Sequence, residues 1–150
     1  MKIAIGCDEA GLTYKNVILE MLKTQGIEMI DFGTYSEAPV LYPDIAIAVS
    51  EAVARGEAER GILFCGTGIG MAISANKVPG IRAAVCHDSY SAERSRKSND
   101  AQILCMGARV IGIELAKQLV QIWLKCDFAG GGSTAKVERI KEYEANYVRK

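Results

Sequence analysis

The chain has 150 residues, 49% of them apolar and 24% charged, and its 18 basic side chains balance 18 acidic ones. That composition suits one domain around one core, over residues 1–150, and leaves no room for a second. A formal net charge of zero supplies no global field to draw in nucleic acid or an anionic membrane surface, so any anionic ligand must be held locally.

The first apolar run, Lys2 to Cys7, follows Met1 directly; without a long apolar leader it predicts a cytoplasmic protein. Asp8-Glu9 come next, and a helix begins near Leu12. Further short apolar runs at Ile27–Phe32, Gly61–Cys65, Arg82–Cys86 and Gln102–Met106 are too brief for helices and rich enough for strands covered on both faces. Between them stand helical patterns: Ile45, Val49, Ala52 and Val53 behind the expected cap Asp44, and Ile111, Leu115, Leu119, Ile122 and Trp123 after the fifth strand. Gly130-Gly131-Gly132 then forms a turn or hinge before a last helical stretch marked by Val137, Ile140, Tyr143 and Tyr147. The expectation for residues 133–150 is a C-terminal helix at a subunit interface. No apolar run approaches the roughly 20 residues that span a bilayer. Strand and helix alternating five times predict right-handed crossovers: a Rossmann-like three-layer α/β/α sandwich with a five-stranded parallel sheet, ligands sitting at the strand C-termini.

The third strand carries the most chemistry. It ends in Cys65-Gly66-Thr67-Gly68-Ile69-Gly70 and opens a helix. Alternating glycines let successive backbone N–H groups converge, and a helix N-terminus adds partial positive charge, which suits an oxyanion. The spacing matches neither nucleotide-binding fingerprint, and a purely structural turn is the alternative. A cysteine at such a turn has its thiolate stabilised and can act as a base. Cys86, Cys105 and Cys126 read as small buried apolar side chains, with Cys7 intermediate. The odd cysteine count, without a C-x-x-C pair and with a single histidine, His87, argues against disulfides and structural zinc. Asp8 and Glu9, at the end of the first strand, either hold sugar hydroxyls or cap the following helix. His87, just before the probable cap Asp88, reads more readily as structural.

Taken together, Gly6-Cys7-Asp8, Asp31-Phe32-Gly33-Thr34, Tyr42-Pro43-Asp44, Cys65 through Gly70, Ala75-Asn76-Lys77, Gly80-Ile81-Arg82-Ala83, Asn99-Asp100 and Gly107-Ala108-Arg109 resemble the ribose-5-phosphate isomerase B and galactose-6-phosphate isomerase family over nearly the full length. The resemblance implies that Cys65 moves a proton between C1 and C2 of an open-chain sugar through a cis-enediolate. Gly66, Gly68, Ile69 and Gly70 would donate hydrogen bonds to the oxyanion, Thr67 would be a hydroxyl partner, and Asp8, Tyr42 and Asn99 would contact the sugar. Relatives lacking the cysteine use a glutamate at the position of Met71, and methionine cannot be a base. The family needs no metal or cofactor, and its members are dimers or tetramers whose sites are completed across a subunit interface.

Departures from that pattern bear on the substrate. Glu9 stands where a histidine is usual, and a carboxylate repels a phosphate dianion unless a cation intervenes. Ser98 replaces the ring-opening histidine before Asn99. The Gly-Gly-Arg-His-x-x-Arg segment reads Gly130-Gly131-Gly132-Ser133-Thr134-Ala135-Lys136, leaving Arg109 and Lys136, helped by Ser133, to hold the anionic tail. A sugar that cannot cyclise, with a less charged tail, accounts for both losses; the resulting expectation is 4-deoxy-4-sulfoerythrose converted to 4-deoxy-4-sulfoerythrulose. Ribose 5-phosphate isomerisation is the alternative within the class, and a catalytically silent sugar-acid binding subunit the alternative outside it.

Overall fold

The computed structural model describes residues 1–148. The last two positions expected in the terminal helix, 149 and 150, lie outside them. Five strands, β1 (Lys2–Cys7), β2 (Glu28–Asp31), β3 (Arg60–Cys65), β4 (Ala83–Val85) and β5 (Ile103–Gly107), alternate with helices α1 (Leu12–Thr24), α2 (Tyr42–Ala54), α3 (Ile69–Ala75), α4 (Ser89–Lys97) and α5 (Ile113–Lys125). The helix α6 (Thr134–Val148) ends the described chain. All four strand pairings are parallel, in the order β2-β1-β3-β5-β4. The chain therefore folds as the predicted Rossmann-like three-layer sandwich.

Strand alternation sorts side chains into two cores. Ile3, Ile5, Ile62, Phe64, Leu104 and Met106 point to one face and pack with Ile18 and Leu22 of α1, Ala92 of α4, and Leu119 and Trp123 of α5. Ala4, Leu63, Cys65, Ile103 and Cys105 point to the other and meet Val49 of α2 and Met71 and Ala75 of α3. A side chain at Gly6 would lie 2.6 Å from Ile45 Cγ2, and one at Gly61 2.8 Å from Val49 Cγ1, so these two positions let α2 settle closely on the sheet. Helix α2 starts at Tyr42, two residues before the expected cap. Leu41 is its N-cap, Pro43 falls in its first two positions, and Asp44 lies in its first turn. Proline's fixed φ suits that place and its missing N–H costs nothing there. Asp88 caps α4 as expected, accepting from Ser91 N–H at 2.7 Å.

Many of the family-like motif residues hold the scaffold. Asn76 pairs with both backbone groups of Ala83 (2.9 and 2.8 Å), and Arg82 donates to the carbonyls of Asn99 and Asp100 (3.0 and 2.9 Å). Lys15 is 1% exposed; its Nζ meets both Asp31 oxygens (2.9 and 3.0 Å) and the Thr34 carbonyl (2.7 Å). Replacing Lys15 with methionine leaves Asp31 without its cation while keeping the buried stem. Asp31 is partly solvated, so the expected loss is about 2 kcal/mol, below the cost for a fully buried pair, read from the urea midpoint.

The glycine run is a turn with positive φ at Gly130 (69°) and Gly131 (60°), leading into a short 3-10 segment, Gly131–Ser133. Of the expected apolar face of α6, Val137 is covered by its own chain, whereas Ile140 and Tyr143 remain 47% and 57% exposed.

Candidate active site

The sheet order reverses about β1, with β2 on one side and β3 on the other. Ligands of doubly wound sheets bind in the crevice outside the strand ends at such a switch point. β1 runs out at Cys7 and Asp8, and β3 at Cys65; the two ends are tied by Asp8 N–H donating to the Phe64 carbonyl at 3.1 Å. A cavity of about 390 Å³ opens there, lined by Asp8, Tyr42, Cys65, Gly66, Thr67, Ile69, Gly70, Ile73 and Arg109.

Cys65 is the last strand residue and, by alternation, faces α2 and α3. It is only 5% exposed, yet it forms part of the cavity wall. Gly68 N–H donates to its sulfur at 3.0 Å, an acceptor role that a thiolate fills better than a thiol. Gly68 reaches the sulfur because its φ is +78°, a left-handed conformation natural to glycine. Ile69 N–H is taken by Thr67 Oγ1 at 3.2 Å. Two of the turn's donors therefore organise the turn itself, where all were expected to converge on a ligand.

Neighbouring strands brace the turn. Ala108 and Arg109 donate backbone N–H bonds to the carbonyls of Cys65 (2.9 Å) and Gly66 (3.0 Å). A side chain at Gly107 would strike the Thr67 backbone at 2.7 Å, so β5 supports the loop from below. The Arg109 guanidinium lies across Gly66, with Nη1 3.2 Å from where a Cβ would sit. Tyr42 covers Gly70, its ring and hydroxyl 2.5–2.6 Å from the corresponding position. Asp8 accepts at Oδ1 from Ala10 N–H (3.0 Å) and Gly11 N–H (3.2 Å), so it does cap the first turn while also lining the cavity. Burial raises its pKa above the usual carboxylate value, opposed by the Gly11 bond.

The other titratable candidates are elsewhere or silenced. Burial pushes Cys7 up to about 11 and raises Cys86 and Cys105 as well. His87 accepts from Gly107 N–H at Nε2 (2.9 Å), and burial lowers its pKa; it pins the end of β5. Glu9 does not line the cavity: its Oε2 accepts from Val40 N–H at 3.2 Å. Asn99 lines a separate hollow of about 240 Å³ with Cys86, Ser91 and Arg94. Ser133 and Lys136 lie on the 3-10 turn and on α6, outside the wall of the Cys65 cavity. Ile73 is a wall residue that the motif reading passed over; its spacing of four from Ile69 on one helix face was the available signal.

Comparison with known proteins agrees with this geometry. A model of the ribose/galactose isomerase family matches residues 3–140. The chain is 57% identical over 144 residues to a ribose-5-P isomerase B of Listeria innocua, covering 96% of this chain and 97% of that one. It is 53% identical over 146 residues to a D-erythrulose-4-phosphate isomerase of Pectobacterium atrosepticum, covering 96% and 95%. A solved ribose-5-phosphate isomerase B of Clostridium thermocellum superposes with a TM-score of 0.97 at 52% identity, over 98% and 99% of the two chains. A 4-deoxy-4-sulfo-D-erythrose isomerase from a Clostridium species is similar at a lower 37% over 150 residues, covering 99% and 89%. The fold, the switch-point cavity and these relatives define an aldose–ketose isomerase. The chain belongs to the ribose/galactose isomerase family.

Proposed function

We propose that the chain interconverts an open-chain aldose and its 2-ketose, the sugar carrying an anionic group at its far end, with Cys65 as the base. The observation that carries this reading is a strand-end sulfur held by a backbone N–H in the wall of a polar-rimmed cavity. The thiolate removes the hydrogen at C2 of the aldose to give a cis-enediolate, the hydroxyl proton of O2 passes to O1, and the thiol returns its proton at C1. Asp8 and Tyr42 orient the hydroxyls, the turn from Gly66 to Gly70 together with the Thr67 hydroxyl faces the enediolate oxygens, and Arg109 offsets their charge.

The proposed substrate is a four-carbon sugar bearing the anion at C4, which cannot close a ring and needs no ring-opening histidine at Ser98. Phosphate is the favoured tail, in keeping with the similarity to an erythrulose-4-phosphate isomerase. The sulfonate, 4-deoxy-4-sulfoerythrose, is the second reading, favoured by Gly132 and Lys136 standing where arginines are usual. The enzyme is proposed to act in the cytoplasm as a homodimer or homotetramer. Asn99 in its separate hollow, and Ser133 and Lys136 away from the cavity wall, support a site completed by a second copy that brings these residues to the tail and hydroxyls. The exposed Ile140 and Tyr143 support α6 as part of that contact.

A substrate panel of erythrose 4-phosphate, 4-deoxy-4-sulfoerythrose, ribose 5-phosphate and allose 6-phosphate, read by chromatography of the ketoses, tests the assignment. Highest kcat/KM on erythrose 4-phosphate is expected. Highest kcat/KM on ribose 5-phosphate would overturn the four-carbon proposal, and no ketose from any of the four would favour the silent binding subunit.

A further inference from the structure

The segment from Tyr35 to Leu41 joins β2 to α2 and is exposed throughout. Its start is anchored twice: the Thr34 carbonyl accepts from buried Lys15 Nζ at 2.7 Å, and Tyr35 donates its hydroxyl to the Asp31 carbonyl at 2.8 Å. Its far end has a different holder. Val40 N–H donates to the Glu9 carboxylate across a sequence separation of 31 residues. Two residues later Tyr42 opens α2, whose N-cap, Leu41, makes no side-chain capping bond. The direction in which the chain enters α2, and hence where the Tyr42 ring meets Gly70, is therefore set partly by a residue of the β1–α1 turn.

We infer that Glu9 is a positioning residue, a latch that holds the end of this segment so that Tyr42 lies over Gly70 at the cavity. The role deepens the isomerase reading and rests on it for its effect on turnover, while the latch itself is a property of the free protein. It also answers the charge problem at this position: the Glu9 carboxylate is directed to a backbone donor, and Asp8 is the acidic wall residue of the cavity. A neutral amide at position 9 can accept the same N–H bond, whereas a methyl group cannot.

Glu9→Ala and Glu9→Gln separate a latch from a ligand-binding charge. Amide hydrogen exchange of the free protein over residues 35–42 is expected to accelerate in Glu9→Ala and to stay near the parent rate in Glu9→Gln. On the preferred sugar, Glu9→Ala is expected to lower kcat/KM by about tenfold, the size of one lost charge-assisted hydrogen bond. Glu9→Gln should recover most of that loss, and Glu9→Ala should add little in a Tyr42→Ala background. Unchanged exchange in Glu9→Ala, or equal damage from both substitutions, would overturn the latch. If no sugar in the panel is turned over, the isomerase reading fails, and the exchange rates alone decide Glu9.

Discussion

Cys65→Ala is expected to bind the sugar and fail to isomerise it. General acid–base groups contribute about 10²–10⁴-fold, and Cys65 carries out both proton transfers at carbon in the proposed cycle, so kcat should fall by at least about 10³-fold with the calorimetric dissociation constant nearly unchanged. The fold should survive, because Cys65 is a small side chain at a strand end and alanine keeps its Cβ. A serine there would accept the Gly68 N–H yet be far less readily ionised, so Cys65→Ser should be as inactive as the alanine variant. A serine variant with near-parent turnover would show that a hydrogen-bond acceptor suffices at this position.

The second large effect is expected at Gly68, which has no titratable group. Its φ of +78° is strained for an L side chain, and an added Cβ would lie 2.9 Å from the Met106 carbonyl carbon and 3.1 Å from the Met106 nitrogen. Those atoms belong to the buried inner strand β5 and cannot step aside. In Gly68→Ala the turn itself must move, carrying its N–H away from the Cys65 sulfur. A displacement of about 1 Å at a reacting group costs roughly 10²-fold, so kcat/KM should drop by about that factor in protein that remains folded by circular dichroism. Gly80→Ala makes a control: φ is also positive there, at 85°, but nothing lies within 4 Å of the new Cβ, so stability should suffer a little and turnover should not.

The two predictions differ in how they could be foreseen. The strand-end place of Cys65 was legible because short apolar runs announce the strands and a glycine turn follows the third of them. The observed strands begin and end within about a residue of those runs, but only the inner strands β1, β3 and β5 are buried almost throughout; β2 and β4 are half-covered edge strands, so double coverage is overstated for them. The start of α2 was less legible: Asp44 has the chemistry of a cap, but Pro43 is better accommodated inside the first turn, and that moves Tyr42 into the helix. Ile73 was hidden because an isoleucine on a helix reads as core until the neighbouring cavity is known. Asn99, Ser133 and Lys136 were grouped with Cys65 on motif evidence alone. Within one chain they lie apart from it, and a motif's residue types do not say how distant segments are brought together. Glu9 shows the same limit at short range, because its partner Val40 is set by how the β2–α2 segment folds back.

The most direct measurement of the account follows the carbon-bound hydrogen itself. The ketose of the best substrate is incubated in D2O with the parent protein and with Cys65→Ala, and deuterium at C1 is followed by proton NMR. The parent is predicted to exchange this hydrogen at a rate comparable with turnover, and Cys65→Ala to slow the exchange by at least the factor lost in kcat. Exchange in Cys65→Ala at the parent rate would mean that another group takes the proton and would contradict the assignment of the thiol.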